Sequence, residues 1–136
     1  MKNYFRIIFI VILFSLSVMI TSCSFFKDPQ GSAELLSVYS SQSEYKVENK
    51  TEYIRYLNAT LKITNTGSID IYNSTVSIQA ETDKRTYYKT LSFDITIKPS
   101  SSIFIPVQFE FDTHTNGSSS EKWKDDSMKI IGESWK

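Results

Sequence analysis

The stretch Tyr53-Ile-Arg-Tyr-Leu57-Asn-Ala-Thr-Leu61-Lys-Ile-Thr64 decides the fold class. Leu57, Ala59, Leu61 and Ile63 fall on one face, and Asn58, Thr60, Lys62 and Thr64 on the other. Period-two alternation places successive side chains on opposite faces of an extended chain, so this segment is a strand with one buried face. The following Asn65-Thr66-Gly67-Ser68 is a turn, because Gly tolerates positive φ and Asn tolerates left-handed geometry.

The same pattern recurs towards the C-terminus. Ile103 to Phe111 alternates cleanly, with Ile103, Ile105, Val107, Phe109 and Phe111 inward and Phe104, Pro106, Gln108 and Glu110 outward. Pro106 lacks a ladder donor, which predicts an edge position or a bulge. Between the two lie Ile69 to Ala80, whose register changes and calls for a bulge near Tyr72–Ser74, and Arg85 to Lys98, read as two short strands or one bent one. Turns are expected at Thr82–Lys84 and Pro99–Ser102, and a Gly/Ser-rich loop at Thr113–Lys124. Ser127 to Trp135 closes the series with Met128, Ile130 and Ile131. On the N-terminal side, Glu34 to Ser41 reads as a first strand carrying Leu36 and Val38, and the polar run Gln42–Thr51 as a loop, with a ragged edge strand as the alternative.

About seven short strands, with no helical periodicity after the leader, predict an all-β fold: a single immunoglobulin-like antiparallel β-sandwich over residues 33–136. The run Leu61-Lys-Ile-Thr-Asn-Thr-Gly67, then Val76-Ser-Ile-Gln-Ala80, Asp83 and Ile97-Lys-Pro-Ser-Ser-Ser-Ile103, resembles the FxLYD-type bacterial immunoglobulin-like domains over about half of the mature domain. The Phe-x-Leu-Tyr-Asp signature itself is absent. That resemblance implies the fold and carries no catalytic activity with it.

The first 22 residues read differently. Lys2 and Arg6 precede an uncharged run from Ile7 to Ile20, followed by small polar residues, which is the arrangement of an export signal. Fourteen helical residues span about 21 Å, short of a hydrocarbon core of about 30 Å, which favours a signal over a permanent span. Ile20-Thr21-Ser22-Cys23 resembles the lipobox of bacterial lipoproteins. The resemblance implies that Cys23 receives a diacylglyceryl group and becomes the first residue after cleavage. Residues 1–22 are then a signal peptide and residues 23–32 a lipidated tether. An uncleaved anchor and an ordinary signal peptide are the competing readings. The same resemblance implies that an acidic residue after the cysteine favours inner-membrane retention; Ser24 is not acidic, which tilts the expected location to the outer membrane or cell surface rather than the inner membrane.

Composition narrows the function classes. Two of the 15 Lys and Arg lie in the leader and none of the 15 Asp and Glu does, so the segment from Cys23 onward has a formal charge of −2. Without a basic excess, nucleic acid is not an expected partner. Cys23 is the sole cysteine, so no internal disulfide forms and the core must hold the domain unaided.

No catalytic constellation is legible. His114 is the only histidine, in Asp112-Thr-His-Thr-Asn116, and no serine lies in a nucleophile-elbow pattern. It reads as an exposed loop residue. Neither a zinc set nor an EF-hand spacing is present, so no cofactor is expected. Asp112, Asn116, Asp125 and Asp126 are the residues from which a Ca²⁺ site would be built. Tyr45, Tyr53, Tyr56, Tyr72, Tyr87, Tyr88, Trp123 and Trp135 are the stronger lead, since Tyr and Trp are enriched in binding hot spots. Among them Trp123 is the candidate binding residue: its neighbours Glu121, Lys122, Lys124 and Asp125 are charged, which predicts exposure, against the alternative of a plug at one end of the sandwich.

The reading is therefore a lipid-anchored envelope lipoprotein with a non-catalytic β-sandwich that binds a partner. The membrane is engaged through acylated Cys23, and the partner is an envelope protein, a glycan or a host molecule. The alternative is an envelope enzyme or Ca²⁺-dependent module whose site is built from loop carboxylates.

Overall fold

A computed structural model of the chain describes residues 27–136. The leader and Cys23 lie outside the described residues. Every regular element among those described is a strand: β1 (Gly31–Val47), β2 (Lys50–Asn65), β3 (Ser74–Glu81), β4 (Thr86–Phe93), β5 (Ser102–Asp112) and β6 (Lys129–Trp135). They form two three-stranded antiparallel sheets, ordered β1-β2-β5 and β4-β3-β6. The two sheets face each other across one core, so the domain is an all-β sandwich.

The alternation in β2 and β5 builds one wall of that core. Leu57, Ala59, Leu61 and Ile63 lie beside Val107, Phe109 and Phe111, all buried. Val76, Ile78 and Ala80 of β3 form the opposing wall. Pro106 sits on β5, which pairs only with β2, so its missing N–H costs no ladder bond on the open side. The edge strands of the second sheet carry charges on their core-side register. Lys89 of β4 lies opposite Ile78 and reaches across to the Gln108 carbonyl of β5, and Glu133 of β6 lies opposite Val76. Such inward charges discourage pairing with another chain's edge.

Four segments depart from the sequence-based expectation. The strand read over Ile69–Ala80 begins only at Ser74, so its change of register lies outside the strand and is not a bulge near Tyr72–Ser74. Gln42–Thr51 is not a loop, because β1 and β2 continue as a long hairpin to a two-residue turn at Glu48-Asn49, flanked by the pair Val47 and Lys50. Both turn residues have positive φ, as the tightest hairpin turns require. The arm's side chains are mostly exposed on both faces, so no apolar alternation marks it. In β1 the core-packed residues are Ala33, Leu35 and Val38, whereas Leu36 falls on the other face. A bulge between Leu36 and Tyr39 switches the parity, with Ser37 in the left-handed region at φ 54°. Finally, only the first half of Arg85–Lys98 is a strand. The remainder is irregular and meets the chain before β3 through the single bridge Ile71–Ile97, which leaves six strands where about seven were expected.

The sandwich has two distinct ends. At one, Gly31 opens β1 opposite Asn65, against the ring of Trp135. A Cβ on Gly31 would come within 2.7 Å of the Trp135 ring, so the close approach depends on glycine. At the other end, the segment between β5 and β6 crosses the mouth of the sandwich.

Candidate functional site

The inward register of β2 does not stop at Leu57. Continued towards the N-terminus it reaches Arg55 and Tyr53, which places an arginine on the core side where the sheets run out. The end of β3 is met there by the segment Glu121–Lys124. Trp123 forms a β-bridge with Thr82, the Lys124 N–H donates to the Glu81 carbonyl (3.0 Å), and the Asp83 N–H donates to the Lys122 carbonyl (3.1 Å). The Lys122 N–H in turn donates to Asp83 Oδ1 at 3.0 Å.

This pairing gives the loop a strand-like alternation. Glu121 and Trp123 point inward and Lys122 and Lys124 outward. The expectation that Trp123 stands exposed is thereby overturned: it is 8% exposed. Its ring centroid lies 4.9 Å from that of Tyr87, 5.3 Å from Phe111 and 6.1 Å from Phe109, in tilted and edge-on arrangements favoured between aromatic rings. Trp123 therefore plugs one end of the sandwich.

Glu121 is buried completely behind it. The Thr82 hydroxyl donates to Glu121 Oε1 at 2.6 Å and Arg85 Nε pairs with the same oxygen at 3.0 Å. Burial, and then the Glu121 charge, raise the Tyr87 hydroxyl above its ordinary value.

Between this plug and the first sheet lies an open cleft of about 380 Å³, lined by Ser40, Ser41 and Gln42 of β1, Arg55 of β2, and Lys122 and Trp123. The Arg55 side chain is held in place at one corner. Its Nη2 donates to the Ser119 carbonyl at 3.1 Å, and the guanidinium stands 5.5 Å from the centroid of the Tyr53 ring. Its Nε and Nη1 are buried without an acceptor, and so is the indole Nε1 of Trp123. Two cations and no acid line the cleft.

A second depression, about 400 Å³, lies on the outer face of the first sheet around Tyr39, Asn58, Thr60, Pro106 and Gln108. Its amides satisfy one another: Gln108 Nε2 donates to Asn58 Oδ1 (2.8 Å), and Asn58 Nδ2 to Ser41 Oγ (3.0 Å). The cleft at Arg55 is the stronger candidate because it gathers two cations and no acid to pair with them.

The loop residues considered for Ca²⁺ are engaged elsewhere. Asp112 Oδ1 accepts from the Tyr45 hydroxyl and from the backbone N–H groups of His114 (2.7 Å) and Thr115 (3.4 Å). The Tyr45 contact and these N–H groups hold the Asp112 carboxyl below its usual range, while desolvation and Asp112 push the Tyr45 hydroxyl up to about 12. Asn116 Nδ2 donates to the Asp112 carbonyl (2.9 Å) and its Oδ1 accepts from Arg85 Nη1 (3.3 Å). Asp125 and Asp126 are exposed beyond the plug. Among the described residues no three His, Cys, Asp or Glu side chains are grouped to hold a metal ion. His114 is exposed in its loop.

Arg55, Glu121 and Asn65 were not singled out from sequence. For Arg55 and Glu121 a signal existed, since each occupies an inward position of an alternating segment. The chain matches no family model, no curated protein and no solved structure.

Proposed function

We propose that this chain is a lipid-anchored envelope protein whose β-sandwich is a non-catalytic binding module. Cys23 carries the lipid, the outer membrane or cell surface is its location, and the cleft at Arg55 is its working surface. The lipobox-like Ile20–Cys23 at the end of an apolar leader supports the anchor.

The observation that carries the reading is the placement of the cleft relative to the tether. The tether joins the domain at Gly31, opposite Asn65. Arg55 lies ten residues back along β2 from Asn65, about 33 Å at roughly 3.3 Å per residue. A chain held at the Gly31 end therefore presents the cleft away from the bilayer. An envelope protein, a glycan or a host molecule is the class of partner that meets such a surface.

The anchor is tested by metabolic labelling with palmitate in a bacterial host that processes lipoproteins. Label in the wild-type chain and none in Cys23→Ala is expected. Because Cys23 is the only cysteine, label that persists in Cys23→Ala rules the anchor out.

A further inference from the structure

We propose that the cleft between β1 and the Trp123 plug binds a small polar ligand through a carboxylate or phosphate group, with Arg55 as its principal contact. The proposal deepens the reading of the domain as a binding module by naming the chemistry that the cleft recognises.

Three observations converge on an oxyanion. First, Arg55 has no ion pair among the described residues, although other cations on this domain do: Lys62 pairs with Glu34, Arg85 with Glu121, and Lys124 and Lys129 with Glu81. Two of its nitrogens lack any acceptor. The side chain is half-buried, so its charge is partly removed from water with the Ser119 carbonyl as its one protein acceptor, and partial burial of a charge without a counter-ion is costly. Second, the two acids that flank Lys122, Glu121 in sequence and Asp83 through the Lys122 backbone, already have partners. Glu121 takes Thr82 and Arg85, and Asp83 takes the Lys122 N–H. No acid lines the cleft, and Lys122 adds a second positive charge at its exposed rim. Third, the site is preorganised. The Tyr53 ring and the Ser119 carbonyl orient the guanidinium before any ligand arrives, which lowers the ordering cost of binding.

The remaining lining sets the size and polarity of the ligand. A volume of about 380 Å³ exceeds what a bare ion fills and lies at the small-molecule end of binding sites. Ser40 and Gln42, which share the inward register of Leu57 and Arg55, offer neutral hydrogen bonds, and the edge of Trp123 offers one apolar wall. Arg is suited to both carboxylate and phosphate oxygens.

The two tryptophans make the test internally controlled. In the full chain, solubilised in detergent, the indole N–H resonances of Trp123 and Trp135 are followed by NMR. Inorganic phosphate and N-acetylglycine are titrated separately at constant ionic strength, with chloride as the balancing anion. A saturable shift of the Trp123 indole, with Trp135 unmoved, is expected for one probe or both, and the probe that acts identifies the anion. Arg55→Gln is expected to weaken that binding about tenfold or more, and Lys122→Gln, at the exposed rim, about threefold. If Arg55→Gln does not fold, the Lys122→Gln comparison decides. No saturable shift with either probe, or wild-type affinity in the folded variants, overturns the proposal. The cleft is read here whether or not Cys23 is acylated, so a failed anchor and a failed cleft give different results.

Discussion

Trp123→Ala is expected to lower the stability of the domain by about 3–5 kcal/mol, the range seen when a buried aromatic is truncated. The residue is 8% exposed and its ring meets three others, Tyr87, Phe109 and Phe111. Truncation would remove the ring from all three and open the mouth of the sandwich above Phe111 and Tyr87. Water admitted there would also reach Glu121 and its bonds to Thr82 and Arg85. Against a total of about 5–15 kcal/mol for a domain of this class, that is a large fraction. At roughly 4–8 °C per kcal/mol the melting temperature should fall by about 12–40 °C. Trp123→Phe keeps an aromatic ring in the same space and should cost less than half as much. Urea denaturation of the two variants checks both values. A loss below about 1 kcal/mol in Trp123→Ala would mean that the ring is a surface residue after all.

The second large effect is expected at the opposite end, from Asn65→Ala. Asn65 is fully buried, and its side chain ties two turns together. Its Nδ2 donates to the carbonyls of Ile69 and Ile97, both at 2.7 Å, and its Oδ1 accepts from the Gly67 N–H at 2.9 Å. Its backbone completes the tie: the Asn65 N–H donates to the Ser101 carbonyl and the Ser100 N–H donates to the Asn65 carbonyl, each at 3.0 Å. Alanine would strand the Ile69 carbonyl and remove a second bond from two groups that keep one, the Ile97 carbonyl, which also accepts from the Ile71 N–H, and the Gly67 N–H, which also donates to the Gln30 carbonyl. At about 1–3 kcal/mol for the stranded carbonyl and about 0.5–1.5 kcal/mol for each of the two other bonds lost, a loss of about 2–6 kcal/mol follows, at the lower end where water reaches the carbonyl. Asn65→Asp separates hydrogen bonding from size. A carboxylate facing two carbonyl oxygens is disfavoured, so its folded-state pKa is raised above the unfolded value. The stability of that variant should therefore be greatest below the unfolded pKa and fall as pH rises through the folded one. Melting curves across the acid range read this directly, and a variant insensitive to pH would contradict the bonding at Asn65.

Legibility in the sequence followed burial. β2 and β5 each have one face in the core, so leucine, isoleucine and phenylalanine recur at every second position and the strands announce themselves. The arm formed by Gln42–Val47 and Lys50–Tyr53 is held by pairing between its own two strands, and pairing leaves no apolar signature. The parity switch in β1 was hidden because Ser37 occupies a bulge position where glycine is the usual marker. Trp123 misled for a related reason. Charged neighbours imply exposure in a loop, but in a segment that bridges to Thr82 they occupy the outward positions and leave Trp123 and Glu121 inward. Arg55 belongs to the same lesson: its inward register in β2 was visible, and a charge at such a position marks either a buried pair or a ligand site.

In the arrangement proposed above, the lipid holds one end of the sandwich and the cleft faces away from it. Trp135 packs against Gly31 at the tether end and is paired with Ser74 at the start of β3, while Trp123 bridges to Thr82 beyond the end of β3. Eight residues of extended chain separate Ser74 from Thr82, about 26 Å at roughly 3.3 Å per residue. The direct test places the acylated chain in lipid nanodiscs doped with a gadolinium-chelating lipid and measures relaxation enhancement at the two indole N–H groups. Stronger enhancement at Trp135 than at Trp123 is the predicted result. Equal enhancement, or a larger effect at Trp123, would contradict the claim.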